Sequence, residues 1–264
     1  MHSSEVLYGI TNNHIEMLEK CDRLFMRRVF DCPISTPIES YYLETSTIPV
    51  RFVLIGRRLM YLWTLLQKSD KELARKVFET QKRFPVKNDW VLQIKEDLLM
   101  CKIQLTENEI GCMKKEKFRK IVKTSIQQLS VEYLTKLIGK HSKSDNLQPQ
   151  EKIQNYLVNE NTTVAEKKLL FLLRSRMYPV KSNFQQSYSD MSCSLCSKSE
   201  ETQQHLLVCE KISEEIELNQ CVLKRKISYQ DIFGTPSEQT GAIKIWKVID
   251  KIWNRKLHDN KKDV

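Results

Sequence analysis

Cys193-Ser194-Leu195-Cys196 and His205-Leu206-Leu207-Val208-Cys209 place four soft ligands within 17 residues, in the pattern C-x2-C-x8-H-x3-C. Thiolate sulfur and imidazole nitrogen are the donors that tetrahedral Zn²⁺ prefers, and four of them fill its shell with no position left for a reacting water. The spacing therefore predicts a structural zinc held by Cys193, Cys196, His205 and Cys209, and no catalytic one. A C-x2-C turn presents two sulfurs to one point. His205 and Cys209, four residues apart, share a face if that stretch is helical. The spacer Ser197 to Gln204 is wholly polar and can build no core, so a metal is what would hold it. The competing reading is buried cysteines beside a surface histidine, and Cys221 lies near enough to be a spare ligand.

Other chemistries find little support. The six glycines stand singly, so no phosphate-cradling loop is present. No Ser–His–Asp or Cys–His spacing is visible, although such triads need not show in sequence. No catalytic residue is assigned. Lys and Arg number 43 against 33 Asp and Glu, a net charge of +10. That surplus points to a polyanionic partner, RNA, DNA or an acidic membrane face, of which nucleic acid through phosphate contacts is the one expected, or to a soluble basic protein with no such partner. The eight cysteines come without a signal peptide, and the longest apolar runs are too short to cross a bilayer. The expected setting is an intracellular, reducing one, nuclear or cytoplasmic, with no membrane partner.

The elements that must position these residues read as helices throughout. Few glycines and prolines over 264 residues argue against an all-β fold. A helix over 12–31 is expected to turn Ile15, Leu18, Cys21, Phe25 and Val29 inward, with Lys20, Arg23, Arg27 and Arg28 on a basic face. Pro37 marks a loop. Pro49 opens a central helix to about Gln67, interrupted by Arg57 and Arg58, which need acidic partners if buried and can meet phosphate if exposed. A charged helix follows over 71–82, then one capped by Asn88-Asp89. A lysine-rich helix spans 114–129, and Ser130 caps a short one to Ile138. Residues 140–150 read as a polar linker. Thr163-x-x-Glu166 is a capping box. The second half of the knuckle continues as helix through Leu218, Asp231 to Gly234 turn, and a last helix from Ser237 carries an apolar stripe of Ile245, Trp246, Ile249, Ile252 and Trp253.

Several stretches resemble a known family. Leu7-Tyr8-Gly9, Leu18 to Arg23, Arg27 to Phe30, Thr36 to Glu39, Tyr42 to Thr45, Ile48 to Arg51 and Arg57 to Leu62 resemble the region just after the polymerase core of non-LTR (LINE-like) retrotransposon reverse transcriptases. Leu173 to Arg176, the C-x2-C turn, Glu200-Glu201-Thr202 and His205 to Cys209 resemble their C-terminal zinc knuckle. The resemblance covers most of 7–70 and 165–210. It implies an all-α fold: a thumb-like helical bundle or connector over 1–140, a linker and helix over 141–185, a CCHC knuckle over 186–215 and a C-terminal helical segment over 216–264. It also implies nucleic-acid binding, with Lys20, Arg23, Arg27, Arg28, Arg57, Arg58, Arg174 and Arg176 on phosphates, and the remainder of a reverse transcriptase polyprotein as partner. Polymerisation itself needs paired metal-binding aspartates. Tyr188-Ser189-Asp190-Met191 offers one carboxylate, so this stretch is not expected to be an enzyme by itself. The alternative is a zinc-stabilised helical scaffold for protein partners, a domesticated remnant of such an element.

Overall fold

A computed structural model describes residues 11–87, 89–138, 140, 146–150, 152–218 and 228–260, with 217–218 and 256–260 in backbone alone. Leu7-Tyr8-Gly9 and Cys221 lie outside the described residues. The fold is all-α; among the described residues there are twelve α-helices and no strand, only an isolated bridge between Ser192 and Glu200. Two compact units alternate along the chain: Met1–Met26 with Thr47–Lys136, and Arg27–Ser46 with Leu137–Val264. Helix α1 (Asn12–Phe30) contributes to both.

The first unit is built around α3 (Val50–Leu66), which Pro49 opens from the extended backbone before it. Proline suits that place because its missing N–H is not needed there. Phe52, Ile55, Leu59 and Leu62 form the buried face. Against them pack Phe78 of α4 (Leu73–Arg83), Trp90, Val91 and Ile94 of α5 (Trp90–Met100), Ile110 of α6 (Glu107–Cys112) and Phe118, Val122 and Ile126 of α7 (Lys115–Ile138). Each such side chain contributes about 1.5–3 kcal/mol when fully buried. The Asp89 carboxylate accepts from the Leu92 N–H at 2.8 Å and caps α5 as expected. Helix α7 is longer than expected. Phe118, Val122, Ile126, Ser130 and Leu134 recur every fourth residue along one buried face, so Ser130 lies inside a continuous helix and caps nothing. The inward face of α1 also differs. Glu19 is drawn inward by a two-pronged ion pair with Arg51 (2.6 and 2.8 Å), and Cys21, Phe25 and Val29 are exposed.

The second unit holds an element that periodicity concealed. Helix α2 (Ile38–Thr45) follows Pro37 and stops at Ser46, whose φ of 50° is left-handed. Glu39 to Glu44 are all buried, so no polar face betrays the helix. Phe30, Tyr41 and Phe171 stack, with ring centroids 4.1 and 5.3 Å apart. Phe171 belongs to α9 (Val164–Arg174), and its capping box is formed: Thr163 Oγ1 accepts the Glu166 N–H, and the Glu166 carboxylate accepts the Thr163 N–H at 2.7 Å. The expected linker is anchored on α2: Leu147 is buried, Ser46 donates to the Gln150 carbonyl, and the Gln154 N–H donates to the Glu44 carbonyl. The short α8 (Asn155–Val158) follows. The long α12 (Pro236–Asn260) buries Trp246, Ile249, Ile252 and Trp253 in the core, with Tyr178 edge-on to Trp246 at 5.6 Å. That stripe is interior. Asp231 to Phe233 belong to a 3₁₀ helix rather than a simple turn.

Candidate metal centre and basic surfaces

Cys193, Cys196, His205 and Cys209 converge. One ligand atom from each lies within 4.8 Å of all the others, and Cys196 Sγ is 3.3 Å from His205 Nε2. A tetrahedral ion with arms of ~2.3 Å to sulfur and ~2.0 Å to nitrogen has edges of about 3.5–3.8 Å. The cluster can therefore hold a metal ion with shifts of about 1 Å or less in the spacing of its ligand atoms.

Local hydrogen bonding builds this geometry. In the C-x2-C turn the Ser197 N–H donates to the Cys193 carbonyl at 2.8 Å and the Cys193 N–H to the Ser199 carbonyl at 2.7 Å, with Ser197 at a left-handed φ of 58°. Glu201, expected to be one of a purely solvated spacer, is buried. Its carboxylate accepts from the Ser194 N–H (2.8 Å), the Ser194 hydroxyl (2.6 Å) and the Lys181 N–H (3.0 Å), tying the turn to the segment after α9. Thr202 caps the one-turn α10 (Gln203–Leu206) by accepting the His205 N–H at 2.9 Å, which orients the imidazole. His205 and Cys209 are not on one helix. The chain tightens at Leu207–Val208, where the bonds close over three residues, and α11 (Glu210–Leu218) starts from the Cys209 carbonyl. Cys209 thus sits at a helix N-terminus, where backbone N–H groups favour a thiolate.

The thiols are set apart electrostatically. Burial pushes Cys193 up and Cys209 to about 11, whereas the Lys198 backbone N–H leads in holding Cys196 below the usual thiol value. A bound cation would offset the cost of ionising the buried Cys193 and Cys209 and the half-buried Cys196.

The residues expected on phosphates divide sharply. Arg58 is buried and paired two-pronged with Asp97 of α5 at 2.6 and 2.8 Å. Arg174 is buried as well: its Nε donates to both Glu44 oxygens at 2.9 Å, its Nη1 donates to the Ile232 carbonyl at 2.6 Å, and its guanidinium lies 4.9 Å from the Phe233 ring centre. Neither guanidinium is available to a phosphate, because each answers a carboxylate that burial would otherwise leave uncompensated. Arg27 donates to the Ile34 carbonyl from a half-buried position. Arg57 is half-buried on α3. Arg176, half-buried with φ 51°, lines a polar cleft of about 660 Å³ with Asn183, Gln203 and Tyr229. Lys20 and Arg28 are exposed on α1, and Arg23 is half-buried there.

A basic surface that the apolar reading of the last helix passed over lies on α12. Lys244, Lys247, Lys251 and Arg255 are exposed and line one groove, opposite the buried tryptophans. Their spacing of three and four residues was legible in the sequence. Lys247 bridges Glu166 at 2.9 Å, and Arg255 bridges Glu215. No described helix is long and apolar enough to cross a membrane. No family model, curated protein or solved structure matches this chain.

Proposed function

We propose that the chain is a nucleic-acid-binding helical module whose second unit is braced by a structural Zn²⁺ on Cys193, Cys196, His205 and Cys209. The observation that carries this reading is the basic face of α12, in the same unit as the cluster. Lys244 and Arg255 are eleven residues apart, about 16 Å along a helix. A row of that length with four cations can follow a phosphate backbone without reading bases. Lys247 and Arg255 would trade their ion pairs with Glu166 and Glu215 for phosphate. Lys20 and Arg28 of α1 supply further phosphate contacts. The resemblance to the post-polymerase region of non-LTR reverse transcriptases supports the same reading, with binding of template, primer or target strand as the role and no chemistry performed by this stretch.

Zinc is the ion that three thiols and an imidazole select, and closed four-coordination gives it a structural role. The test is anisotropy of labelled duplex and single-stranded RNA and DNA across ionic strength. Four phosphate contacts predict roughly a hundredfold loss between ~50 and ~200 mM salt. Lys244→Gln with Lys251→Gln lowers the log–log slope by about two. Absence of binding at the lower salt with any of the four strands refutes the proposal.

A further inference from the structure

Between α3 and α7 of the first unit runs a groove of about 560 Å³. Its floor is carbon: the half-buried Val53 and Met60, with Gly56 at the centre, laid over Phe52, Val122 and Ile126 of the buried core. A side chain at Gly56 would begin 3.6 Å from Ile126 Cγ1 and 3.8 Å from Val122 Cγ1, so the glycine leaves open the space between the two helices. The rim is basic on both sides. Arg57 stands on α3, and Lys115, Arg119 and Lys123 recur every fourth residue along α7. Among the described residues, none that lines the groove is acidic. The three α7 cations are exposed, and they form a row about 12 Å long at the helical rise.

The geometry points to an amphipathic helix of a partner protein as the occupant. Such a helix would seat its apolar i, i+3, i+4 and i+7 side chains on the carbon floor and set Glu or Asp beside the α7 row. Val53 and Thr64 both line the groove, and eleven residues separate them, about 16 Å or three turns of a docked helix. The volume lies within the range of roughly 300–1,000 Å³ of clefts that enclose ligands. An apolar helix laid in a groove is an established mode of recognition, and charge on the rim fixes register and speeds encounter. A nucleic-acid backbone is the weaker fit. Its phosphates gain from cations that stand free of carbon surface, whereas here the cations flank a floor that can reward only apolar side chains. This inference stands apart from the proposed function, because it concerns the other unit and another class of partner.

The experiment is selection of helix-biased peptides from a display library against the whole zinc-loaded chain, followed by titration of the enriched peptides. The expected winners combine apolar residues at i, i+3, i+4 and i+7 with flanking acids. Arg119→Glu with Lys123→Glu is expected to weaken them at least about tenfold, while Lys117→Glu with Lys120→Glu, the same charge change on exposed residues of α7 outside the groove, leaves them within about twofold. Val53→Glu, which places an acid on the floor, should also abolish binding. Circular dichroism of each variant verifies folding. The inference is overturned by enrichment of peptides with no acid–apolar pattern, by equal loss in the two charge-reversed double variants, or by displacement of the peptide with duplex DNA. Self-association of the chain that disappears in Arg119→Glu with Lys123→Glu would likewise overturn it, assigning the groove to a second copy.

Discussion

Arg174 offers the sharpest separation between a phosphate contact and a structural ion pair. Arg174→Met leaves Glu44 fully buried without its cation and the Ile232 carbonyl without its donor. Removing one partner of such a pair costs about 3–5 kcal/mol. At roughly 2–4 °C per kcal/mol for a chain of this size, the melting temperature falls by ~6–20 °C. The loss should depend on pH in a defined sense. Burial already pushes the Glu44 carboxyl above its usual value, while Arg174 and the Tyr156 hydroxyl pull it back. Without Arg174 the folded-state value climbs further above the unfolded one. Between those two values the folded state holds the extra proton, so the variant loses stability as pH rises through that window. Its deficit should therefore be smaller near pH 5 than near pH 8. Adding Glu44→Gln keeps an acceptor for Tyr156, which donates at 2.8 Å, and removes the stranded charge. That double variant should recover about half of the loss or more. Urea titration followed by tryptophan fluorescence, where Trp246 and Trp253 report on the same unit, measures all three proteins. If Arg174→Met stays within about 1 kcal/mol of the parent yet loses nucleic-acid affinity, the buried-pair argument is wrong.

Three further outcomes follow from the same geometry. Arg58→Met should destabilise the first unit by about 3–5 kcal/mol through stranded Asp97, with no change in the salt slope of nucleic-acid binding, as read by denaturation and anisotropy together. Chelation should release about one zinc per chain, measured by metal analysis, and raise hydrogen exchange over 191–218 while leaving α3, α5 and α7 protected; a metal-free protein with an unchanged exchange pattern would refute the structural centre. The Glu166 carboxyl is held at about 2, below its ordinary 4.5, first by Lys247 and then by the Thr163 N–H and hydroxyl. Because the folded value is depressed, this contribution is present above pH 4.5 and lost as pH falls toward 2. Glu166→Gln should flatten the acid limb of the stability curve across that window.

How much was written locally can be judged from particular elements. Helix starts at Asp89 and Thr163 were legible because a cap is a bargain struck within three or four residues. The four candidate metal ligands were legible for the same reason: their convergence needs only a turn, a one-turn helix and the start of α11. Their support was not, since nothing in the composition of the spacer singles out Glu201 as the buried carboxylate that ties the turn down. Helix α2 escaped notice because burial on all sides erases the polar–apolar period on which helix reading relies. On α12 the basic row was visible, but nothing in the spacing alone said that the tryptophans opposite it were interior.

The order of residues along this chain determined its helical class, its caps and the clustering of soft ligands, because those depend on neighbours a few positions away. Tertiary packing decided which face of each helix turned inward and which arginines kept water. Arg58 and Arg174 look identical to Arg28 in one dimension. They differ because Asp97 and Glu44, 39 and 130 residues distant, are brought within 3 Å where charge cannot be left alone.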